Sequence, residues 1–158
     1  MGSKKHLYPH TLLTTAGQEE YDRFIAISRG RLCPYCLCET ELIEDKVVHE
    51  DSPDKFRYYY RCKRNPDHHV GCHYRTKIPL GRISDSKLRR LKNQCHKAFD
   101  PLWKQKPKAF SSRQRAYYWL AKQLGWDNDF THIGMFGEEQ CLRALEIVER
   151  FRQYHSTK

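Results

Sequence analysis

Two short pairs of potential metal ligands constrain this chain more than any other feature. Cys33 and Cys36 flank a Pro-Tyr dipeptide, and Cys62 and His68 follow after 25 intervening residues. A structural Zn²⁺ is held in a tetrahedron of Cys and His ligands, and two loops that each supply two ligands complete one. The spacing therefore predicts one structural Zn²⁺ per chain.

The residues around and between the two pairs predict how the chain joins them. Pro34 restricts φ and favours a tight turn in which both thiolates point at one centre and following N–H groups bond the sulfurs. Segments 41–49 and 55–61 are rich in β-branched and aromatic residues, and Asp51-Ser52-Pro53-Asp54 separates them. We expect two strands between the ligand loops, an arrangement known as a zinc ribbon.

The spacing leaves the fourth ligand open. His69, Cys72 and His73 follow His68 closely enough to compete with it. Cysteine is the commoner zinc donor, but Cys72 would close a longer loop than His68 does. The favoured ligand set is therefore Cys33, Cys36, Cys62 and His68, with Cys72 as the alternative to His68.

Cysteine usage and hydropathy indicate a compartment. The chain has seven cysteines, an odd number, and no apolar run approaches the ~18 residues of a membrane span or forms a signal peptide. Cys38, Cys95 and Cys141 belong to no ligand pattern, so we expect ordinary core or surface thiols there. We expect a cytoplasmic protein with no membrane partner.

The positive charge of the chain is concentrated in its middle third. Residues 55–108 carry sixteen basic and three acidic side chains, whereas residues 1–54 carry six and ten, and residues 109–158 carry seven and six. A basic block around a zinc ribbon favours nucleic acid as the partner. A solvated basic face without a ligand is the simpler alternative.

Cations of this block are predicted to contact phosphates, and nearby aromatic residues are predicted to stack on unpaired bases. In a strand, Tyr58 and Tyr60 share one face and Tyr59 lies on the other, so at least one face belongs to the core. The predicted phosphate ligands are Arg57, Arg61, Lys63, Arg64, Arg75, Lys77, Arg82, Arg89, Arg90 and Lys92, and the predicted stacking residues are Tyr58, Tyr60 and Trp103.

Helical periodicity dominates the chain on both sides of the ribbon. Helices are predicted over about 16–29, between Ser112 and Gly125, and from the region of Gly137 to about 154. A further helix has an apolar stripe of Leu88, Leu91, Cys95, Phe99 and Leu102. Its other side is expected to face solvent with Arg89, Arg90 and Lys92.

These elements predict an α+β fold, in which a small antiparallel zinc ribbon is packed with about four α-helices. We expect an N-terminal arm and helix over 1–31, the ribbon over 32–78, and a helical domain over 79–158 that packs on the ribbon.

Several motifs carry a resemblance to known families. The loop from Cys62 to His68 resembles the second knuckle of topoisomerase-type zinc ribbons, with His68 at the position of their last cysteine. Pro79-Leu80-Gly81 and the segments 97–103, 116–121 and 132–136 resemble a family of zinc-finger-containing proteins of unknown function that is frequent in phages and prophages.

This second resemblance covers roughly residues 32–150. Its members usually have Pro-x-Cys before a Val-Gly-Cys-His element; this chain keeps Val70-Gly71-Cys72-His73 but has His68 at the cysteine. The resemblance implies phage origin, the cytoplasm of an infected or lysogenic bacterium, and the company of replication proteins. It implies no reaction.

Three functional classes are compatible with these observations. The favoured one is a non-catalytic protein that binds nucleic acid, DNA over RNA, as a replication or recombination accessory or regulator. The alternative is a regulator or inhibitor that binds a host or phage protein. A metal-dependent nuclease is less favoured, because a catalytic metal keeps an open position whereas the two ligand pairs fill four.

Overall fold

The computed structural model describes residues 17–44 and 57–156, and its class is α+β, as predicted. None of the described helices is long and apolar enough to cross a membrane. Two single 3₁₀ turns, Asn128–Phe130 and Ile133–Met135, lie between the last two helices. The α-helices are α1 (Gly17–Ser28), α2 (Ser86–Phe99), α3 (Pro101–Lys104), α4 (Arg113–Leu124) and α5 (Glu138–Ser156).

The described strands form one antiparallel sheet in the order β1, β2, β3. They are β1 (Thr40–Glu44), β2 (Tyr58–Cys62) and β3 (His69–Gly71), with Thr40 opposite Cys62 and Tyr60 opposite Val70. Strands β1 and β2 overlap the predicted segments 41–49 and 55–61, and each extends one residue beyond its segment on the side of the ligand loops. Residues 45–56, which include the rest of the first segment, the separating turn and the start of the second segment, lie outside the described residues.

The chain consists of two compact units. The ribbon unit runs from Asp22 to Arg89, and the helical unit contains residues 90–156 and the start of α1. The predicted boundaries of three regions, 1–31, 32–78 and 79–158, stay a prediction.

Among its described residues, the ribbon unit has a small core that contains two of the predicted zinc ligands. Cys33, Cys62, Val70 and Ile83 are buried together, and Tyr60 packs against them. A core of this size buries little apolar surface, and such small domains commonly depend on a metal or a disulfide.

Capping residues set the bounds of α4 in the helical unit. The Ser112 hydroxyl accepts a hydrogen bond from the N–H of Arg115 at 3.2 Å, and Gly125 ends the helix with φ of 65°. Between them Ala116, Leu120 and Leu124 are buried at helical spacing. Cys95 and Cys141 are core thiols, as expected, and the Cys95 sulfur donates to the Cys141 carbonyl at 3.3 Å.

Gly30 allows a close backbone approach inside the ribbon unit. Its φ is +71°, and a Cβ placed on it would lie 2.9 Å from the Gly81 carbonyl oxygen and 3.1 Å from a methyl carbon of Val70. Its own carbonyl accepts a hydrogen bond from the Thr40 hydroxyl at 2.9 Å. Glycine is therefore required here both for its conformation and for its size.

We expect Gly30→Ala to lower the free energy of unfolding by about 2–4 kcal/mol, because left-handed strain and a steric clash add together. Gly17→Ala is the matched control, since Gly17 also has positive φ (+82°) but no atom of the described residues lies within 4 Å of the added Cβ. Its expected cost is about 1–2 kcal/mol. Equal urea midpoints for the two variants would contradict the close approach at Gly30.

Candidate metal centre and basic loop

The structure brings Cys33, Cys36, Cys62 and His68 together. One ligand atom from each residue lies within 4.8 Å of the other three. The Nδ1 nitrogen of His68 is 3.5 Å from the sulfur of Cys33 and 3.6 Å from that of Cys36. Tetrahedral Zn²⁺ with bonds of about 2.3 Å to sulfur and 2.05 Å to nitrogen requires an S···N edge of about 3.6 Å. The site therefore fits one structural Zn²⁺.

Each ligand loop forms a turn whose backbone amides face a sulfur. The N–H of Cys36 donates to the Cys33 sulfur at 3.5 Å, and that of Arg64 donates to the Cys62 sulfur at 3.4 Å. The first turn closes when Leu37 adopts a φ of 55°, which few non-glycine residues adopt. The N–H···S contact predicted for the first loop is confirmed, and the second loop has one as well. Each such contact favours the thiolate form of its sulfur.

Neighbouring side chains hold the His68 ring in place. The Tyr35 ring packs on it with centroids 4.5 Å apart, and the Tyr35 hydroxyl accepts a hydrogen bond from the N–H of Asp85. The Asn65 amide lies 3.3 Å from Nε2, the ring nitrogen that faces away from the sulfurs. Such contacts fix which nitrogen is presented to a metal.

The thiols of the cluster differ in acidity. Burial raises the pKa of Cys33, and burial together with the nearby Cys62 and Cys33 sulfurs raises the pKa of Cys36 to about 11. Burial also acts to raise the pKa of Cys62, but the backbone N–H groups of Arg64 and Asn65 outweigh it and lower that pKa to about 6. Cys62 therefore presents a thiolate at neutral pH, while the other two hold protons that a metal must displace.

Cys72, the alternative fourth ligand, lies outside the cluster. It is 1% exposed, its N–H donates to the Tyr58 carbonyl at 2.9 Å, and burial raises the pKa of its thiol to about 11. His69 belongs to β3, and its Nδ1 lies 3.2 Å from the Pro66 carbonyl oxygen. Cys72 and His69 therefore lie in or beside the sheet, next to the ligand loop, and have structural contacts there.

Cys38 is the residue near this site that the sequence did not single out. Its sulfur is 3.3 Å from that of Cys62, and its thiol contributes to the lowered pKa of Cys62. The Cys33 N–H donates to the Cys38 carbonyl oxygen at 3.0 Å, which places residue 38 at the end of the first turn. A Cys-x-Cys spacing at residues 36–38 was the available signal.

The sequence model of a family described as a zinc-finger-containing domain matches residues 29–151. The chain belongs to this family. The match includes all four clustered ligands and most of both units, which agrees with the resemblance seen in the motifs. No curated protein and no solved structure matches the chain.

The cations predicted to bind phosphate divide into two groups in the ribbon unit. Arg61 pairs with Glu41 at 3.0 Å, and Arg89 donates to both the Asp67 carboxylate and, at 2.6 Å, the Ser84 carbonyl. The Arg89 guanidinium beside Asp67 lowers the pKa of that carboxyl group. These two arginines thus have structural partners, while Arg82 is half-buried. Exposed side chains are found at Arg57, Lys63, Arg64, Arg75 and Lys77, and Lys63 also pairs with Glu39 at 3.5 Å.

The expectation that Lys92 faces solvent is wrong. Lys92 is 9% exposed, and its ammonium donates to the Gly134 carbonyl at 2.6 Å. Position 92 lies four residues after Leu88 and three before Cys95, so the curvature of α2 places it within the apolar stripe. Its methylene stem is buried and its charge is satisfied by a carbonyl oxygen. Arg90, by contrast, is exposed.

The predicted stacking residues are all partly buried. The Tyr60 hydroxyl donates to the Lys77 carbonyl at 2.9 Å while its ring packs on the ribbon core. The Lys77 ammonium lies 5.7 Å from the centre of the Tyr58 ring. In the helical unit, the Lys104 ammonium lies 5.0 Å from the centre of the Trp103 ring.

Residues 73–80, here called the basic loop, follow β3 and are held by their own hydrogen bonds. The N–H of His73 donates to the Ile78 carbonyl at 2.8 Å, and the Thr76 hydroxyl both donates to the His73 carbonyl and accepts from the Ile78 N–H. Arg75, at the tip, has a φ of 61°. The basic loop is therefore a compact turn that its own hydrogen bonds close.

Tyr74 is the exposed aromatic residue of the basic loop. Its side chain is 57% exposed, and the Arg75 guanidinium lies 5.5 Å from its ring centre. Arg75 and Lys77 were predicted from the sequence and Tyr74 was not, because β3 was not predicted and the course of the chain after it was therefore unknown. An aromatic residue between a turn and two cations was the available signal.

We expect elemental analysis to give one zinc per chain. Cys33→Ser, Cys62→Ser and His68→Ala should each lose zinc affinity and cooperative unfolding, because metal binding supplies part of the folding free energy. Cys72→Ser is the matched control, and it should keep its zinc. Full zinc retention in His68→Ala with loss in Cys72→Ser would contradict the assigned fourth ligand.

Zinc binding near pH 7.5 should release about two protons from the cysteines, because Cys33 and Cys36 hold theirs and Cys62 has lost its own. Affinity should therefore rise with pH from 7 to 9, and fall more steeply below the Cys62 pKa of about 6. Calorimetry in buffers of different ionisation enthalpy measures the proton count. A count near zero would show that the site is already fully deprotonated.

Proposed function

We propose that this protein binds nucleic acid, DNA in preference to RNA, through the basic loop and the exposed cations of the ribbon unit, and that it catalyses no reaction. The observation that carries the proposal is the basic loop itself. It presents an exposed tyrosine beside two exposed cations, Arg75 and Lys77, on a backbone that its own hydrogen bonds hold in place.

This combination matches what a nucleic acid strand offers. Phosphates attract cations without regard to sequence, and unpaired bases stack on exposed aromatic rings. A loop that is already ordered loses little conformational entropy on binding, so more of its contact energy appears as affinity. Lys63 and Arg64, exposed in the second ligand loop, extend the same kind of surface.

The metal centre supports a structural rather than a catalytic role. Four protein ligands complete a tetrahedron, whereas a catalytic zinc keeps one position for water or substrate. The zinc would fix the second ligand loop, and with it the backbone that carries Lys63 and Arg64. Family resemblance and the odd number of cysteines favour action in the cytoplasm of a bacterium that harbours a phage or prophage, as a replication or recombination accessory.

A second candidate is binding to an acidic surface of a host or phage protein. Ile78 and Leu80 of the basic loop are 61% and 45% exposed, and exposed apolar side chains beside cations are common in protein interfaces. Both candidates predict salt-sensitive association, so the two are separated by the partner retained after nuclease treatment.

Arg75→Ala/Lys77→Ala should weaken binding of DNA and lower the slope of log K against log salt by about 1.4–1.8, because two phosphate contacts are removed. The matched control is Arg115→Ala/Lys122→Ala, which removes two exposed cations from α4. Fluorescence anisotropy over a range of salt concentrations gives both slopes. Equal slopes for the two double variants, or no binding by the wild type at low salt, would favour the protein partner.

Tyr74→Ala should weaken the binding of single-stranded DNA by the energy of one stacked base, about 1–3 kcal/mol. The binding of duplex DNA should be weakened by less, because its bases are already paired and stacked. Tyr74→Phe should keep the affinity, because stacking needs only the ring. Tyr118 of α4 is 53% exposed, close to the 57% of Tyr74, so Tyr118→Ala is the control for removal of an exposed tyrosine. An equal loss of affinity for single-stranded and duplex DNA would exclude stacking by Tyr74.

A further inference from the structure

A cavity of about 490 Å³ in the helical unit is lined by cations from three separate elements. Lys97 comes from α2, Lys106 from the segment after α3, and Arg152 from α5. Among the described residues, the rest of the lining is uncharged and includes no carboxylate: Pro101, Leu102, Gln105, Pro107 and Ala109.

The positions of these cations depend on the fold rather than on the local sequence. The Arg152 guanidinium donates to the Ala98 carbonyl at 2.5 Å, which anchors one of its nitrogens and leaves further N–H groups for a ligand. A smaller adjoining cavity shares Lys97 and adds Lys104. Asp100, which also lines this smaller cavity, lies 3.3 Å from the His96 ring nitrogen and 3.6 Å from the Lys104 ammonium.

A second large cavity of the same unit differs in its charge balance. It has a volume of about 370 Å³ and also contains two arginines, but Arg150 there pairs with Glu146, which lines the same cavity. Charge is thus partly balanced inside that cavity and is unbalanced in the one around Lys97. Cations that converge without a carboxylate repel one another, and an anion relieves that repulsion.

We propose that the cavity around Lys97, Lys106 and Arg152 binds a phosphate group of a nucleic acid strand or of a free nucleotide. The inference rests on the proposed function, since it adds a phosphate site in the helical unit to the basic loop of the ribbon unit. Arginine donates two parallel hydrogen bonds to phosphate oxygens, and lysine supplies a point charge. Pro101 and Pro107 line the cavity beside the cations, and the cavity volume accommodates the sugar or base attached to that phosphate.

The test compares Lys97→Gln/Lys106→Gln with Arg115→Gln/Lys122→Gln, which removes the same charge from α4. The probes are inorganic pyrophosphate, adenosine monophosphate and a short single-stranded deoxyoligonucleotide, each at constant ionic strength. We expect pyrophosphate to shift the amide NMR signals of Gln105 and Ala109 in the wild type and the α4 variant only. The affinity for each probe that binds the wild type should fall about tenfold in Lys97→Gln/Lys106→Gln, and Lys97→Arg/Lys106→Arg should restore it.

Each outcome separates this inference from the proposed function. A response to the oligonucleotide identifies a strand as the source, and a response to adenosine monophosphate alone identifies a free nucleotide; both support the site. If Arg75→Ala/Lys77→Ala weakens the oligonucleotide but the cavity variant does not, and no probe shifts Gln105 or Ala109, only the cavity site is overturned. If the wild type binds no oligonucleotide, the proposed function fails, and the pyrophosphate shifts still decide the cavity.

Discussion

The coordination of one metal by Cys33, Cys36, Cys62 and His68 is the interaction on which the ribbon unit depends. Two of these ligands, Cys33 and Cys62, are also members of its small buried core, with 0% and 1% exposure. Removing the metal therefore leaves crowded thiols where a larger domain would have aliphatic side chains. Because the apolar core is small, metal binding and folding of this unit are expected to be one process.

A network of charged groups connects the second ligand loop to the start of α2. Asp67 accepts hydrogen bonds from the Ser86 N–H and from Arg89, and Arg89 also donates to the Asp67 and Ser84 carbonyls. A part of the positive charge that first indicated nucleic acid is thus used to hold the chain beside His68. The proposed function rests on the cations that remain exposed, above all those of the basic loop.

Local chemistry made the metal ligands and most helices predictable from the sequence. Cys-Pro-Tyr-Cys forms its turn from nearby residues, and the caps at Ser112 and Gly125 act over one helical turn. The failures concern long-range contacts. Strand β3 has only three residues and is defined by its pairing with β2, and burial of Lys92 depends on a carbonyl 42 positions away. Cys38 and Tyr74 were missed because their roles depend on the closed ribbon.

X-ray absorption spectroscopy at the zinc edge of the purified chain distinguishes this ligand set from its alternatives. We predict three sulfur ligands at about 2.3 Å and one imidazole nitrogen at about 2.05 Å, with the outer-shell scattering of a single histidine ring. Four sulfur ligands with no imidazole signal would contradict it, because Cys38 or Cys72 would then replace His68. A spectrum with oxygen from water in the first shell would contradict the structural role assigned to the metal.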